Sequence, residues 1–402
     1  MSFVATKNDA RSIVLLIGDA VLVSLLPLVW VVRKLFASLR HVKPISVWTG
    51  APILTVAMNS RAERLIGYNA FSLVRASYHI ADEFDYNLLR AAKGNRLLAL
   101  CLAYVAFLAT LAMADQVHAY VDGGILPSRR RLSFHPLELW FYRVLGIRLL
   151  VWTYGADVRT RDKTVKLGEY NCCTDCTQVG LACICDSERW RENYARVART
   201  ATAVFSMGDM IEYTPGSRND LFFWPIDLTA QEGRRYDPVY PRMNTDKPLR
   251  IVHAPNHRQF KGTGYLERAV TALCQEGCEI ELVLVEGRPN EEALEIYKSA
   301  DVIFDQCLIG FHGYVALEAM ALGKPVMCFI RKPDDYLLHP EECPIINTHV
   351  ITLKADLQRL LVRRSELGDI GRRGRRYVEK YFSLEAFSHR LKHTYDDLKG
   401  VA

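Results

Sequence analysis

GFHGYVALEAMALGKPV, residues 310–326, reads as a turn, a helix and the start of a strand. Gly310 and Gly313 permit backbone geometries and close approaches that a Cβ would block. Tyr314 to Leu322 is rich in helix formers, and Gly323 stops the helix. Pro325-Val326-Met327-Cys328-Phe329-Ile330 then reads as a short buried strand. The amides that open such a helix have no partner within it, and its dipole favours anions. A nucleotide phosphate fits there, with Glu318, one turn along, in reach of ribose hydroxyls. The same pattern also fits an ordinary βα unit with a C-cap glycine and no ligand.

Working outward, short apolar runs alternate with helical ones. After the stretch, 359–398 reads as helical. Before it, Asp301 to Asp305 is a strand, Glu291 to Lys298 a helix, and Ile280 to Glu286 a strand. Leu249 to Ala254 is another strand. It is followed by a turn holding Asn256, Arg258, Lys261 and Gly262, then a helix from Tyr265. Residues 229–248 are polar and turn-rich, with Pro238, Pro241 and Pro248, and read as a linker. Upstream, Ile45 to Trp48, Asn69 to Ala76, Gln116 to Val121 and Leu149 to Tyr154 read as strands. Leu97 to Ala114 reads as a buried helix, because a strand follows it at once. Strands alternating with helices predict an α/β protein with parallel sheets covered on both faces. Ligands bind beyond the carboxyl ends of such strands. In the first half those ends carry Gly50, Gly123-Gly124 and Gly155-Ala156-Asp157-Val158-Arg159. At 402 residues, two domains are expected.

The opening stretch resembles the donor-binding signature of retaining, family-4-type glycosyltransferases of the GT-B fold, the "glycosyl transferases group 1" type. That signature is a Glu, seven residues, a second Glu, then Ala-Met-Ala, Gly and Pro-Val. Glu318, Ala319, Met320, Ala321, Gly323, Pro325 and Val326 match its second half; its first Glu falls at Gly310. The resemblance implies two Rossmann-like domains facing a cleft, with a nucleotide-sugar donor against the second and the acceptor against the first. It implies glycosyl transfer with retention of configuration and no catalytic metal. Lys261, which precedes Gly262, and Arg258 would stabilise the departing diphosphate, a point where charge grows in the transition state. Glu318 would hold the ribose, and Phe311, His312 and Gly313 would line the sugar or phosphate. Asp305 and Gln306 are placed to take over from the missing Glu. The family often places a His near the transferred sugar, which makes His118 a catalytic candidate; a satisfied core histidine is the other reading. Gly155-Ala156-Asp157 resembles the family's first-domain turn, which adds Asp157 and Arg159 to Gly50, Gly123 and Gly124 as cleft candidates. Expected boundaries are 1–42 for an N-terminal apolar helix, 43–230 for the first domain, 249–375 for the second and 376–402 for a crossover helix. Two rivals keep the fold: a nucleotide-sugar epimerase, and a non-catalytic partner protein.

Three other features bear on function. Ile13 to Val32 is 20 residues with one charge, Asp19, and a proline at 27, long enough to span a bilayer. Arg33, Lys34, Arg40 and Lys43 follow it, a bias that keeps the downstream chain on the cytoplasmic face of the membrane. A helix lying in the interface is the alternative, and the segment precedes the first strand, so the fold is not expected to need it. Membrane attachment would set the cleft beside a lipid-linked or glycan acceptor. Second, a net charge of +6 is mild and does not suggest a nucleic-acid partner. It is localised: from Lys354 onward, 12 Lys and Arg face 7 Asp and Glu. That is a solvated helix face or a surface for anionic lipid. Arg129-Arg130-Arg131 is a second basic cluster, a solvated loop or a partner for an acceptor phosphate. Third, five of the 11 cysteines fall within residues 172–185, in a segment spanning 171–186. Cys173, Cys176, Cys183 and Cys185 could hold a structural zinc. Reduced thiols packing a loop, an iron–sulfur cluster and disulfide or redox chemistry are the other readings. The scattered remainder fits a reducing, cytoplasmic compartment.

Overall fold

The computed structural model describes residues 2–39, 43–77, 83–181, 183–229, 235–241 and 247–400. Two helices lead the chain, α1 (Ser2–Ser24) and α2 (Leu26–Leu39). The first half continues β1 (Ile45–Thr49), α3 (Leu54–Leu65), β2 (Asn69–Val74), β3 (Tyr86–Asn87), α4 (Leu88–Ala91), α5 (Arg96–Met113), β4 (Gln116–Tyr120), α6 (Pro136–Val144), β5 (Arg148–Trp152), α7 (Arg161–Thr164), α8 (Ser187–Thr200) and β6 (Ala203–Phe205). The second half runs β7 (Leu249–His253), α9 (Arg258–Lys261), α10 (Thr263–Gln275), β8 (Ile280–Leu284), α11 (Asn290–Lys298), β9 (Val302–Gly310), α12 (Tyr314–Ala321), β10 (Val326–Ile330), α13 (Pro333–Tyr336), β11 (Ile346–Asn347), α14 (Leu353–Val362), α15 (Leu367–Tyr381) and α16 (Leu384–Gly400).

The strands form two parallel sheets, β3-β2-β1-β4-β5-β6 and β11-β10-β9-β7-β8. Every residue of β4 and of β9 is buried, as befits strands sealed on both faces. In each sheet the strand order reverses once, between β1 and β4 and between β7 and β9. The carboxyl ends at such a reversal splay apart and leave a crevice.

The chain crosses between the two sheets twice. Ile226, on the way out, donates its amide to Phe382 O at 2.6 Å and bridges Ser383 on the way back. Beyond that point α16 packs on α3 of the first sheet. Tyr395 donates its hydroxyl to Glu63 Oε1 at 2.7 Å there, and Arg390 reaches Phe222 O.

The N-terminal apolar segment differs from expectation. It is two helices, bent by 56° at Leu25. Pro27 explains the break, since it lacks an N–H and its ring clashes with the turn before it, whereas the first turn of a new helix accepts it. Leu15, Leu22 and Val29, seven residues apart, form one buried stripe, and both helices pack on α5. Tyr104 of α5 donates to Asp19 Oδ1 at 2.9 Å, Gly18 lies against the Tyr104 ring, and Arg33 donates to Leu111 O and Ala114 O. The fold therefore uses this segment, and Asp19 is held by the protein. The other faces stay open: Ile13, Leu16, Ile17, Leu28, Trp30 and Leu35 are all more than half exposed. Helix α5 is not the fully buried element expected either, for Leu97, Leu98 and Val105 point outward.

Candidate functional site

The crevice between β7 and β9 is filled by side chains from three elements. Strand β7 ends at His253, and the chain turns through α9 to Lys261 and Gly262. Gly262 has φ +80°, and a Cβ there would sit 2.4 Å from Cys307 Sγ. A glycine after the lysine is what lets α9 close onto β9. Lys261, 7% exposed, then points at β9, where its Nζ lies 2.5 Å from Asp305 Oδ1. Asp305 Oδ2 accepts the amide of Gly313, the N-cap residue of α12. Burial pushes the Asp305 carboxyl up, but Lys261, the Gly313 amide and His312 more than offset this and hold it below the usual range. Lys261, Asp305, His312 and Gly313 thus form one knot at the start of α12.

Glu318 lies one turn along α12 and is 3% exposed. Its Oε1 accepts from Asn290 Nδ2 at 2.9 Å and from the Tyr236 hydroxyl at 3.3 Å. Burial pushes its pKa up against those bonds and the nearby Arg235 charge. Burial, with the charges of Glu318 and Asp305, pushes the Tyr297 hydroxyl well above its usual pKa. Phe311 closes the far side. Its ring rests on Gly208 of the first domain, where a Cβ would come within 2.3 Å of it, and near Trp224.

Two of the expected residues are engaged elsewhere. Arg258 is paired with Glu286 and Glu267 at the surface and does not join Lys261. Gln306 spends its side chain on the irregular part of β9: its amide donates to Phe329 O and Phe311 O, and its Oε1 accepts from Leu308 N and Ile309 N.

Gly310 explains the missing Glu. It has φ +96°, and a Cβ built there would lie 2.7 Å from Arg331 Cζ. Ile330 pairs in register with Gly310 across β9 and β10, which sets the next residue, Arg331, over it. Arg331 donates from Nη2 to Ile309 O at 2.9 Å, while its buried Nε and Nη1 have no hydrogen-bond partner. A cation therefore stands where the signature carries an anion. Gly310→Ala is expected to destabilise the protein by at least about 1 kcal/mol, through a disfavoured φ and the guanidinium contact. Urea unfolding checks this, and an unchanged midpoint would contradict it.

In the first domain, Gly50 and Gly123 meet at the β1–β4 reversal, where a Cβ on Gly50 would fall 2.8 Å from Gly123 O. Gly124 backs onto Glu138, whose carboxylate accepts the Ile125 and Leu126 amides. Asp157 folds back on its own turn, accepting the amides of Tyr154 and Gly155. Arg159 is locked in a two-pronged buried pair with Asp209, at 2.7 and 2.8 Å.

His118 does not reach the cleft. Its ring stacks on Trp48 at 3.8 Å, its Nδ1 accepts from Trp152 Nε1, and its Nε2 meets Tyr395 and Gln116. Burial lowers its pKa against the attraction of Glu63. It is a core histidine beneath the crossover helix. Strand β4 instead delivers Asp122 to the cleft end, two residues past its last position. Asp122 accepts from the Tyr154 hydroxyl at 2.8 Å and acts electrostatically on Asp157. Burial raises both carboxyls, and one oxygen of each has no hydrogen-bond partner. Asp122 stands next to the flagged Gly123, the one sequence signal for it.

All eleven cysteines are free thiols. Among the described residues only His339, Glu341 and Glu342 bring three ligand-type atoms within 4.8 Å of one another. No three of Cys173, Cys176, Cys183 and Cys185 do so. The segment instead reaches across to the second domain: Cys172 sits in that domain's core, and Tyr170 packs edge-on to Tyr265 and His349.

The carboxyl ends of the two sheets therefore meet at the domain boundary, where Phe311 lies against Gly208 and Lys332 pairs with Glu212. Solved structures share this arrangement. Sucrose-phosphate synthase from Thermosynechococcus elongatus superposes with a TM-score of 0.55 at 16% identity, over 90% of this chain and 100% of that one. The fold is GT-B. Anabaena HepE in complex with UDP gives 0.54 at 11% identity, over 89% of this chain and all of that one. HepE in complex with UDP-glucose gives 0.52 at 13% identity over the same shares. No family model and no curated protein sequence matches the chain. At these identities the likeness establishes GT-B architecture alone.

Proposed function

We propose that this GT-B protein is a glycosyltransferase that moves a sugar, with retention, from a nucleotide-sugar donor to a lipid-linked or cell-surface glycan acceptor. The observation that carries the reading is the knot of Lys261, Asp305 and Gly313 at the start of α12, in the crevice at the β7–β9 reversal. A cation and a helix start converge there in a cleft closed by Phe311 and Gly208, where fixed dipoles act more strongly than in water. Lys261 stabilises the diphosphate as it leaves, and Asp305 fixes the lysine's position. Glu318 exchanges its Asn290 and Tyr236 contacts for ribose hydroxyls when the donor enters. The Asp122–Asp157 pair faces the acceptor side and holds the attacking hydroxyl.

UDP is the first nucleotide to test, because HepE was crystallised with UDP and UDP-glucose. A thermal-shift screen of UDP-, GDP-, TDP- and CMP-sugars is expected to give one family that raises the melting temperature; none doing so would remove the donor site. Glu318→Gln is expected to weaken the nucleotide that binds by roughly 1–3 kcal/mol, the scale of a charged hydrogen bond. Equal affinity in the two proteins would place ribose elsewhere.

The internal bonds of Gln306 and Asp305 favour one rival, a protein that binds a nucleotide sugar without turning it over. Release of free nucleotide on incubation with donor and membrane extract separates the two. The reading also places the protein at the cytoplasmic face of a membrane, supported by the outward apolar faces of α1, α2 and α5.

A further inference from the structure

A cavity of about 420 Å³ opens between α1, the 128–135 loop and the start of α6. Arg129, Arg130 and Arg196 line it, and Asp19 is its one lining carboxylate. His135 lines it too; this residue is 4% exposed, and its Nδ1 is buried with no hydrogen-bond partner. His135 is also the N-cap of α6, a nine-residue helix whose positive end, at Pro136 and Leu137, faces the same space. Arg129 lies 3.7 Å from Asp19, and Arg196 donates to Ser133 Oγ at 3.3 Å. Asp19 also faces His135 Nε2 at 3.5 Å, and Arg130 pairs with Glu192 at 3.1 Å, outside the lining. Arg196 has no carboxylate within 4 Å among the described residues, so the lining itself, three arginines against Asp19, remains cationic. Leu16 and Val23, one turn to either side of Asp19 on α1, are exposed and apolar, whereas Leu15 and Leu22 beside them are buried. A cationic cavity thus opens directly beside an uncovered apolar helix.

We propose that this cavity takes the phosphate headgroup of a membrane lipid, whose hydrocarbon chain lies along the exposed faces of α1 and α5. Charge complementarity selects the headgroup, because Arg forms paired hydrogen bonds to phosphate oxygens. The bent helices select the rest: with one stripe packed on α5, they enter one leaflet as a wedge and do not cross the bilayer. The cavity lies on the loop that follows Gly123-Gly124, so a bound headgroup sits at the acceptor side of the cleft. This assignment rests on the glycosyl-transfer reading only for its purpose; the site itself stands on the residues above.

The test is sedimentation of the full chain with phosphatidylcholine vesicles, with and without phosphatidic acid. Wild type is expected to prefer the phosphatidic acid vesicles. Arg129→Gln/Arg130→Gln is expected to lose about tenfold or more of that preference, near the scale for two basic side chains at a membrane surface. Both arginines are more than half exposed, so the variant folds, and its donor-induced thermal shift is expected to equal that of wild type. Equal vesicle preference in the two proteins would overturn the assignment. Inorganic phosphate that shifts the melting temperature and abolishes the preference would assign the cavity to a free anion instead. Loss of every donor response with the lipid preference intact would sink the glycosyltransferase reading and leave this one standing.

Discussion

Lys261→Met is expected to be the most damaging single substitution in the second domain. Asp305 is buried on the central strand, and Lys261 is its one ion-pair partner among the described residues. Removing one member of such a pair leaves an uncompensated buried charge, which costs about 3–5 kcal/mol. The pH dependence fixes the cause. In wild type the folded pKa of Asp305 is lowered, so its contribution is present above the unfolded carboxylate value, about 3.9, and is lost as pH falls through the folded value. Without Lys261, burial dominates and the folded pKa rises above the unfolded one. The contribution is then present below the unfolded value and is lost as pH rises through the folded one. The stability gap between variant and wild type is therefore widest near neutrality and narrows towards pH 4. Lys261→Met/Asp305→Asn is expected to regain most of the stability and none of the donor binding. Thermal melts at several pH values decide it; a single variant as stable as wild type at pH 7 would show that the pair is not coupled.

Deleting residues 1–38 is expected to abolish soluble expression. Leu15, Leu22 and Val29 are almost fully buried, and each contributes roughly 1.5–3 kcal/mol by its burial. Their loss also uncovers α5, which already exposes Leu97, Leu98 and Val105. Gel filtration of the truncation without detergent is the check. A monodisperse, donor-binding product would show that the two helices are an appendage.

What was legible and what was not divides by range along the chain. The turn, helix and strand of 310–326 are encoded within a few residues of one another, so that stretch and its βα surroundings could be read directly. The break at Leu25 was missed, since the 20-residue apolar run reads as one helix although Pro27 lies within it. His118 was misleading because its partners Trp152 and Tyr395 lie 34 and 277 residues away. No local pattern distinguishes a caged histidine from a catalytic one. Arg331 stayed hidden for a related reason: only the register of β10 on β9 sets it over Gly310. Arg258 was displaced by Glu267 and Glu286, carboxylates that spacing alone could not rank against a diphosphate.

The return of α16 to the first sheet has a consequence for how the molecule is made. Glu63 and Tyr395 are 332 residues apart, and they complete one buried cluster with Trp48 and His118. A chain growing from its N-terminus meets this arrangement in the wrong order. The second sheet is encoded within one continuous stretch and is ready to fold once that stretch has emerged. The first sheet, although synthesised earlier, keeps a carboxylate and a histidine in its core that lack Tyr395 until the last helix arrives. Nascent first-domain strands must wait through synthesis of nearly the whole chain, with apolar α1, α2 and α5 alongside them. The early-made half is thus the late-finished half, and its most aggregation-prone surface is the one exposed for longest.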